Sequence, residues 1–112
     1  KEDGFIKWQE SASQIERKIR AYTPWPQCFT KVGDKELKIL SAHVFTGDVS
    51  ALGDVSAMSA GTVAAVVKND GIVIKCKDGF LSATVLQWQE KKAADFKSFA
   101  NGARGFVGSV CI

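Results

Sequence analysis

The chain has 112 residues, 46% of them hydrophobic and 24% charged, with a formal net charge of +3. That length leads us to expect one domain with a modest core, and that balance excludes an intrinsically disordered tail. No apolar run approaches the ~20 residues of a membrane-spanning helix, and so mild a positive charge admits a polyanionic partner without requiring one.

The opening "KEDGFIKW" has neither an initiator Met nor an apolar signal core, so the chain reads as a piece of a longer protein. A helix signal begins at Ser11, where Ser11 to Gln14 and Ser13 to Glu16 both fit the capping-box spacing. Ala12, Ile15, Ile19 and Tyr22 then recur at steps of three and four, giving one apolar stripe with Arg17 and Arg20 opposite and Lys18 on its flank. Pro24 ends the helix by removing a backbone donor and pushing Thr23 out of the helical region, and Pro26 does the same to Trp25. The pattern predicts a stiff corner that aims Trp25 in one direction.

Beyond the corner the apolar period changes from 3.6 to 2. Residues 28–32, "CFTKV", read as a strand, 33–35 as a turn, and 36–45 as a second strand with a bulge near Ala42. Residues 46–59 contain "GDVSA" twice, at Gly47 and Gly53, and read as a low-complexity loop. Residues 61–68, 71–77 and 80–87 read as three strands, separated by the hairpin signals Asn69-Asp70-Gly71 and Asp78-Gly79. Residues 93–101 form a predicted helix ended by Gly102 as a left-handed cap. The tail "GFVGSVCI" adds an edge strand or covers the sheet. An open sheet of such short strands would leave two unpaired edges. The predicted fold is therefore mainly β with one or two helices: a small five- or six-stranded OB-like barrel with an N-terminal helix, a single domain over residues 1–112. A split sheet with helices on one face is the alternative.

Little in the sequence points to catalysis. Cys28, Cys76 and Cys111 are too widely spaced for a zinc site and read as three reduced, buried side chains. His43 has no recognisable nucleophile or orienting group, and the acids Asp34, Asp70 and Asp78 sit in turns that favour Asp. "NGARGFVG" (101–108) follows a helix where a phosphate-binding loop precedes one, and it lacks the Lys-Ser/Thr ending. The three tryptophans read as core or half-buried plugs. Lysines are more suggestive: Lys31, Lys35 and Lys38 surround the first hairpin, Lys68, Lys75 and Lys77 border the second, and Lys91-Lys92 precede the late helix. Period-two alternation would place Lys75 and Lys77 on one face, where they could track a phosphate backbone or simply be solvated.

The segment "IKWQESASQIERKIRAYTPWPQCFT" (6–30) resembles the start of the C-terminal domain of the methionyl-tRNA formyltransferase family. The resemblance lies in Ile6-Lys7-Trp8, Ser11-Ala12, Ile19-Arg20-Ala21 and Thr23-Pro24-Trp25-Pro26. It continues through "KILSAHV" (38–44), "AGTVAAV" (60–66), "GIVIKCKDG" (71–79), "LQWQEKK" (86–92) and "AADF" (93–96). The chain departs from the pattern at Thr23, where the family has Asn, and at Glu90, where it has Gly. It departs again in a shorter stretch after the Lys pair and in a loop whose Asp48 and Asp54 would repel phosphate.

The resemblance implies an oligonucleotide-binding-type barrel appended to an N-terminal catalytic domain. The parent enzyme would transfer a formyl group from 10-formyltetrahydrofolate to the methionine of initiator Met-tRNA. The family's catalytic residues belong to the N-terminal domain, so no catalytic, cofactor or metal residue is assigned here. The implied partners are the phosphate backbone of initiator tRNA and the N-terminal formyltransferase domain in cis, with no membrane, in the cytoplasm or an organellar matrix. The expected nucleic-acid-binding residues are Arg17, Lys18, Arg20, Lys75, Lys77, Lys91 and Lys92. The same domain occurs in formyltetrahydrofolate dehydrogenase and sugar-nucleotide formyltransferases, and there it would be a structural appendage without RNA contact.

Overall fold

Ser11 caps the first helix, α1 (Ala12–Tyr22), in the computed structural model, which describes residues 2–112. The Ser11 hydroxyl accepts from the Gln14 amide at 3.2 Å, and the Gln14 side-chain oxygen accepts from the Ser11 amide at 3.1 Å. Two otherwise orphan donors are thereby satisfied. Ala12, Ile15 and Ile19 are buried against the sheet, as the apolar stripe predicts. At the other end the Thr23 hydroxyl and amide both donate to the Ile19 carbonyl. The Thr23–Pro24 and Trp25–Pro26 peptide bonds are cis, and the Gln27 amide donates to the Tyr22 carbonyl, closing the corner.

Six strands follow: β1 (Cys28–Val32), β2 (Lys35–Val44), β3 (Val63–Val67), β4 (Gly71–Lys75), β5 (Phe80–Trp88) and β6 (Ala94–Asp95). All pairings are antiparallel, in the order β1-β2-β5-β4-β3, with β6 alongside β5. The register of β2 on β5 shifts on either side of Ser41, next to the expected bulge position. By its ladders this sheet is open, with β1 and β3 at its edges. The C-terminal segment fills the gap. Lys31 and Ile112 exchange backbone hydrogen bonds at 2.9 and 3.0 Å, while Val63 donates to Ser109 and Cys111 donates to Gly61. Gly61 has φ 97°, and a side chain there would collide with the Cys111 carbonyl. The exposed edges that an open sheet would leave are therefore covered by the tail rather than by direct strand-to-strand closure.

Trp8 lies at the centre of the main core, 1% exposed, packed among residues of α1 and the sheet. Its indole N–H donates to Thr30 Oγ1 at 3.0 Å, and the Thr30 hydroxyl donates to the Ile112 carbonyl at 2.8 Å. One chain of hydrogen bonds, buried at Trp8 and Thr30, thus ties the N-terminal segment, β1 and the tail together. A second apolar cluster joins Phe45, Ala64, Val73 and Phe80 to Leu52, with Val55 and Met58 packed against it. The loop that reads as featureless in sequence therefore roofs this face of the sheet. It contains a short 3-10 turn at Val49–Leu52, and Asp48 and Asp54 accept from the Ser50 and Ser56 amides.

The late helix, α2, runs from Phe96 to Gly102, three residues later than the pattern predicts, because Ala94–Asp95 pair with β5 and Asp95 caps Ser98. Its C-cap is Ala103, and the left-handed glycine is Gly105 at φ 74°, so the expected cap at Gly102 is displaced. Phe99 anchors α2 between the rings of Trp88 and Phe106, at 5.3 and 5.1 Å. No helix among the described residues is long and apolar enough to cross a membrane.

Candidate nucleic-acid interface

Burying Ala12, Ile15 and Ile19 turns the opposite face of α1 to solvent. Arg17 and Arg20 stand there, lining one shallow depression with Ala21. Arg20 holds Glu16 through Nε–Oε2 at 2.7 Å and Nη2–Oε1 at 3.1 Å. Those contacts to Glu16 raise the guanidinium pKa further above its ordinary value, and three of its five N–H donors point elsewhere. Arg17 makes no ion pair among the described residues. Lys18 is turned inward. Its ammonium donates to the Phe5 carbonyl at 3.2 Å and sits 5.6 Å from the Tyr22 ring centroid, fastening the N-terminal segment to the helix.

Lys75 and Lys77 do not form the same-strand pair that alternation predicts, because β4 ends at Lys75. The Lys75 ammonium donates to the Val55 and Met58 carbonyls at 2.6 and 2.8 Å, so it holds the loop over the second apolar cluster. Lys77 lies beyond the strand, exposed, with its amide donated to the Trp8 carbonyl. Lys91 and Lys92 are exposed in the turn after β5. That turn is held by Lys91 N–H to the Trp88 carbonyl at 3.0 Å and by the Gln87 amide to the Lys91 carbonyl at 2.7 Å.

Lys91 also lines a depression of about 300 Å³ with Lys35, Trp88, Gln89 and Glu90. The Lys35 ammonium lies 5.7 Å from the Trp88 ring centroid. The pairing of Leu37 with Trp88 brings these distant segments together, so Lys35 joins Lys91 only through the register of β2 on β5. A further pair, Lys68 and Lys97, shares a depression with Phe96 and Asn101. The helix face, the β2–β5 end and the α2 side thus line three different depressions. Trp25 departs from expectation: it is 83% exposed, whereas Trp8 is buried and Trp88 half-buried.

The arrangement suited to acid–base or nucleophilic chemistry does not assemble among the described residues. Asp70 Oδ1 accepts from the Ser82 hydroxyl at 2.6 Å and lies 2.8 Å from His43 Nε2. A serine nucleophile would need the histidine as its partner; here the carboxylate sits between them and ties the β3–β4 hairpin to β2 and β5. Partial burial pushes the Asp70 carboxyl up, but the hydrogen bonds from Ser82 and His43 outweigh it and the net shift is downward. Burial raises the Cys28 thiol and pushes Cys76 and Cys111 up to about 12, leaving three buried, unreactive cysteines. No group of three or more metal-ligating side chains clusters among the described residues.

The sequence matches the family described as "Formyl transferase, C-terminal domain" over residues 1–104. It is 39% identical over 107 residues, 96% of the chain, to a protein named methionyl-tRNA formyltransferase from Treponema denticola. A protein of the same name from Pseudoalteromonas translucida is also 39% identical over 107 residues, and one from Geobacter metallireducens is 34% identical over 109. The chain spans about a third of the length of these relatives, 33%, 32% and 30% respectively. A match of this extent shows that the chain belongs to the formyl transferase C-terminal domain family.

Proposed function

We propose that this chain is the tRNA-holding C-terminal domain of a methionyl-tRNA formyltransferase. It positions initiator Met-tRNA so that a preceding domain can transfer a formyl group from 10-formyltetrahydrofolate, in the cytoplasm or an organellar matrix. The observation that carries this reading is the 39% identity across 96% of the chain to proteins bearing that enzyme's name. The physical support is a set of exposed cations on a domain without a catalytic constellation among its described residues. Arg17, Lys77, Lys91 and Lys92 are exposed, and Arg20 keeps donors free beyond Glu16. Lys18 and Lys75 instead hold neighbouring segments together, and Lys35 takes their place in the contact surface. Phosphate contact of this kind reads little sequence and is weakened by salt through counterion release.

Titrating labelled initiator tRNA against the 112-residue chain at two salt concentrations tests the reading. Saturable binding that weakens at the higher salt is expected. A chain that binds no tRNA at either concentration would instead be a structural appendage of a related formyltransferase.

A further inference from the structure

A groove of about 290 Å³ lies beside the double-proline corner, lined by Trp25, Pro26, Gln27, Phe29, Glu36 and Lys38. Trp25 is more exposed than any other large hydrophobic residue, at 83%, and belongs to neither apolar cluster. Its ring therefore contributes nothing visible to the core, although Pro24 and Pro26 restrict the backbone that presents it. Across the groove, Phe29 projects from the outer face of β1. Phe29 is the cross-strand partner of Lys38 and packs 5.5 Å from Phe5. A neighbouring depression continues past Phe5 and Phe29 to Lys31 and Ile112.

The chemistry of this lining is specific. Two aromatic rings offer stacking faces. The Gln27 amide and the Glu36 carboxylate supply hydrogen-bonding groups for the edge of a planar heterocycle. Lys38, and Lys31 beyond it, supply positive charge for flanking phosphates, with Glu36 the one opposing acid in the groove. The groove follows directly from α1: Arg20 and Trp25 are five residues apart, no more than about 18 Å even fully extended. A strand held by the helix face is therefore within reach of it.

We propose that this groove is a stacking site for one unpaired nucleobase, deepening the RNA-binding reading on which it rests. Trp25 supplies the face, Lys38 contacts the adjoining phosphate, and Glu36 accepts from an exocyclic amino group. A base inside a duplex has both faces covered, so only a single-stranded or looped nucleotide enters. The Glu36 carboxylate favours an amino-bearing base such as cytosine over uracil, which has no amino group to donate.

The test titrates the 112-residue chain with single-stranded oligocytidylate, oligouridylate and a duplex RNA of matched charge, reading tryptophan emission and affinity. Oligocytidylate is expected to bind more tightly than oligouridylate and to quench Trp25, while the duplex leaves it unquenched. Trp25→Ala should weaken oligocytidylate about 5- to 150-fold without changing the salt slope, because stacking releases no counterions. Trp25→Phe should recover part of that affinity. Lys38→Gln should make the slope shallower by about one. Because Trp25 lies outside the core, both tryptophan variants should keep the parent's circular dichroism and melting curve.

If oligocytidylate binds Trp25→Ala as tightly as the parent, or leaves Trp25 emission unchanged while initiator tRNA still binds, the stacking site is overturned and the phosphate-binding reading stands. If the chain binds no RNA, both are overturned and the groove is left to a protein partner.

Discussion

Replacing Lys75 by Met separates a structural lysine from a phosphate contact. The Lys75 ammonium makes two short hydrogen bonds, to the Val55 and Met58 carbonyls. A net hydrogen bond to a charged group is worth about 1.5–3 kcal/mol. Because this side chain is only half-buried and its partners regain water when released, about 1.5–3 kcal/mol for the pair together is the appropriate figure. Met keeps most of the aliphatic stem, so the loss should fall on the loop that covers Phe45, Ala64, Val73 and Phe80. Hydrogen exchange at the Met58 and Thr62 amides, which donate to Val55 and Ser59 within that loop, should accelerate about 10- to 150-fold. The salt slope of tRNA binding should not change. A slope shallower by about one, with the loop as protected as before, would refute the structural assignment and return Lys75 to the contact surface.

Thr30→Val leaves the buried Trp8 indole N–H without an acceptor, whereas the Ile112 carbonyl keeps the Lys31 amide. The expected cost is about 2–3 kcal/mol, or roughly 8–12 °C in Tm; Thr30→Ser should cost ~1 kcal/mol, and equal losses would show that the hydroxyl carries no weight. With Cys76 and Cys111 at about 12 and Cys28 also raised by burial, a thiol reagent at pH 8 should modify none of the three until denaturant is added. Rapid labelling of the native chain would contradict that burial. Because its folded pKa is depressed, Asp70 stabilises the chain above the ordinary carboxylate pKa, and that contribution is lost as pH falls through the folded value. Asp70→Asn should therefore have a lower urea midpoint than the parent above the ordinary carboxylate pKa, and the gap should narrow as pH falls below it. A gap that persists undiminished in acid would remove the carboxylate charge from the explanation.

Much of the fold is legible in sequence because local rules act alone there. The Ser11–Gln14 capping box, the apolar steps from Ala12 to Ile19 and the alternation of residues 28–32 each decide their own segment. Misreadings concentrate where long-range contacts decide. Cys76 and Lys77 look like a continuing strand, but the chain turns away, with Cys76 N–H donated to the Gly79 carbonyl and Lys77 N–H to the Trp8 carbonyl. The "GDVSA" repeats look featureless because Gly, Asp and Ser surround their apolar anchors, Leu52, Val55 and Met58, whose steps of three are too short a run to signal an element. Trp25 sits between prolines, outside any periodic segment, so nothing local signals that it points outward. The interface is only partly legible for the same reason. Exposure of Arg17 follows from the helix stripe, but the meeting of Lys35 with Lys91 depends on the register of β2 on β5, and the occupation of Lys75 depends on a loop about 20 residues away in the chain.

The central claim is that exposed cations on this domain neutralise RNA phosphates. Its most direct measurement is the salt dependence of initiator-tRNA affinity for the parent and for a variant combining Arg17→Gln, Lys77→Gln, Lys91→Gln and Lys92→Gln. In the parent, log affinity should fall linearly with log salt, by about 0.7–0.9 for each phosphate contacted. The variant, with circular dichroism unchanged, should lose about one from that slope for each residue that makes a contact. Affinity indifferent to salt, or an identical slope in parent and variant, would contradict the account.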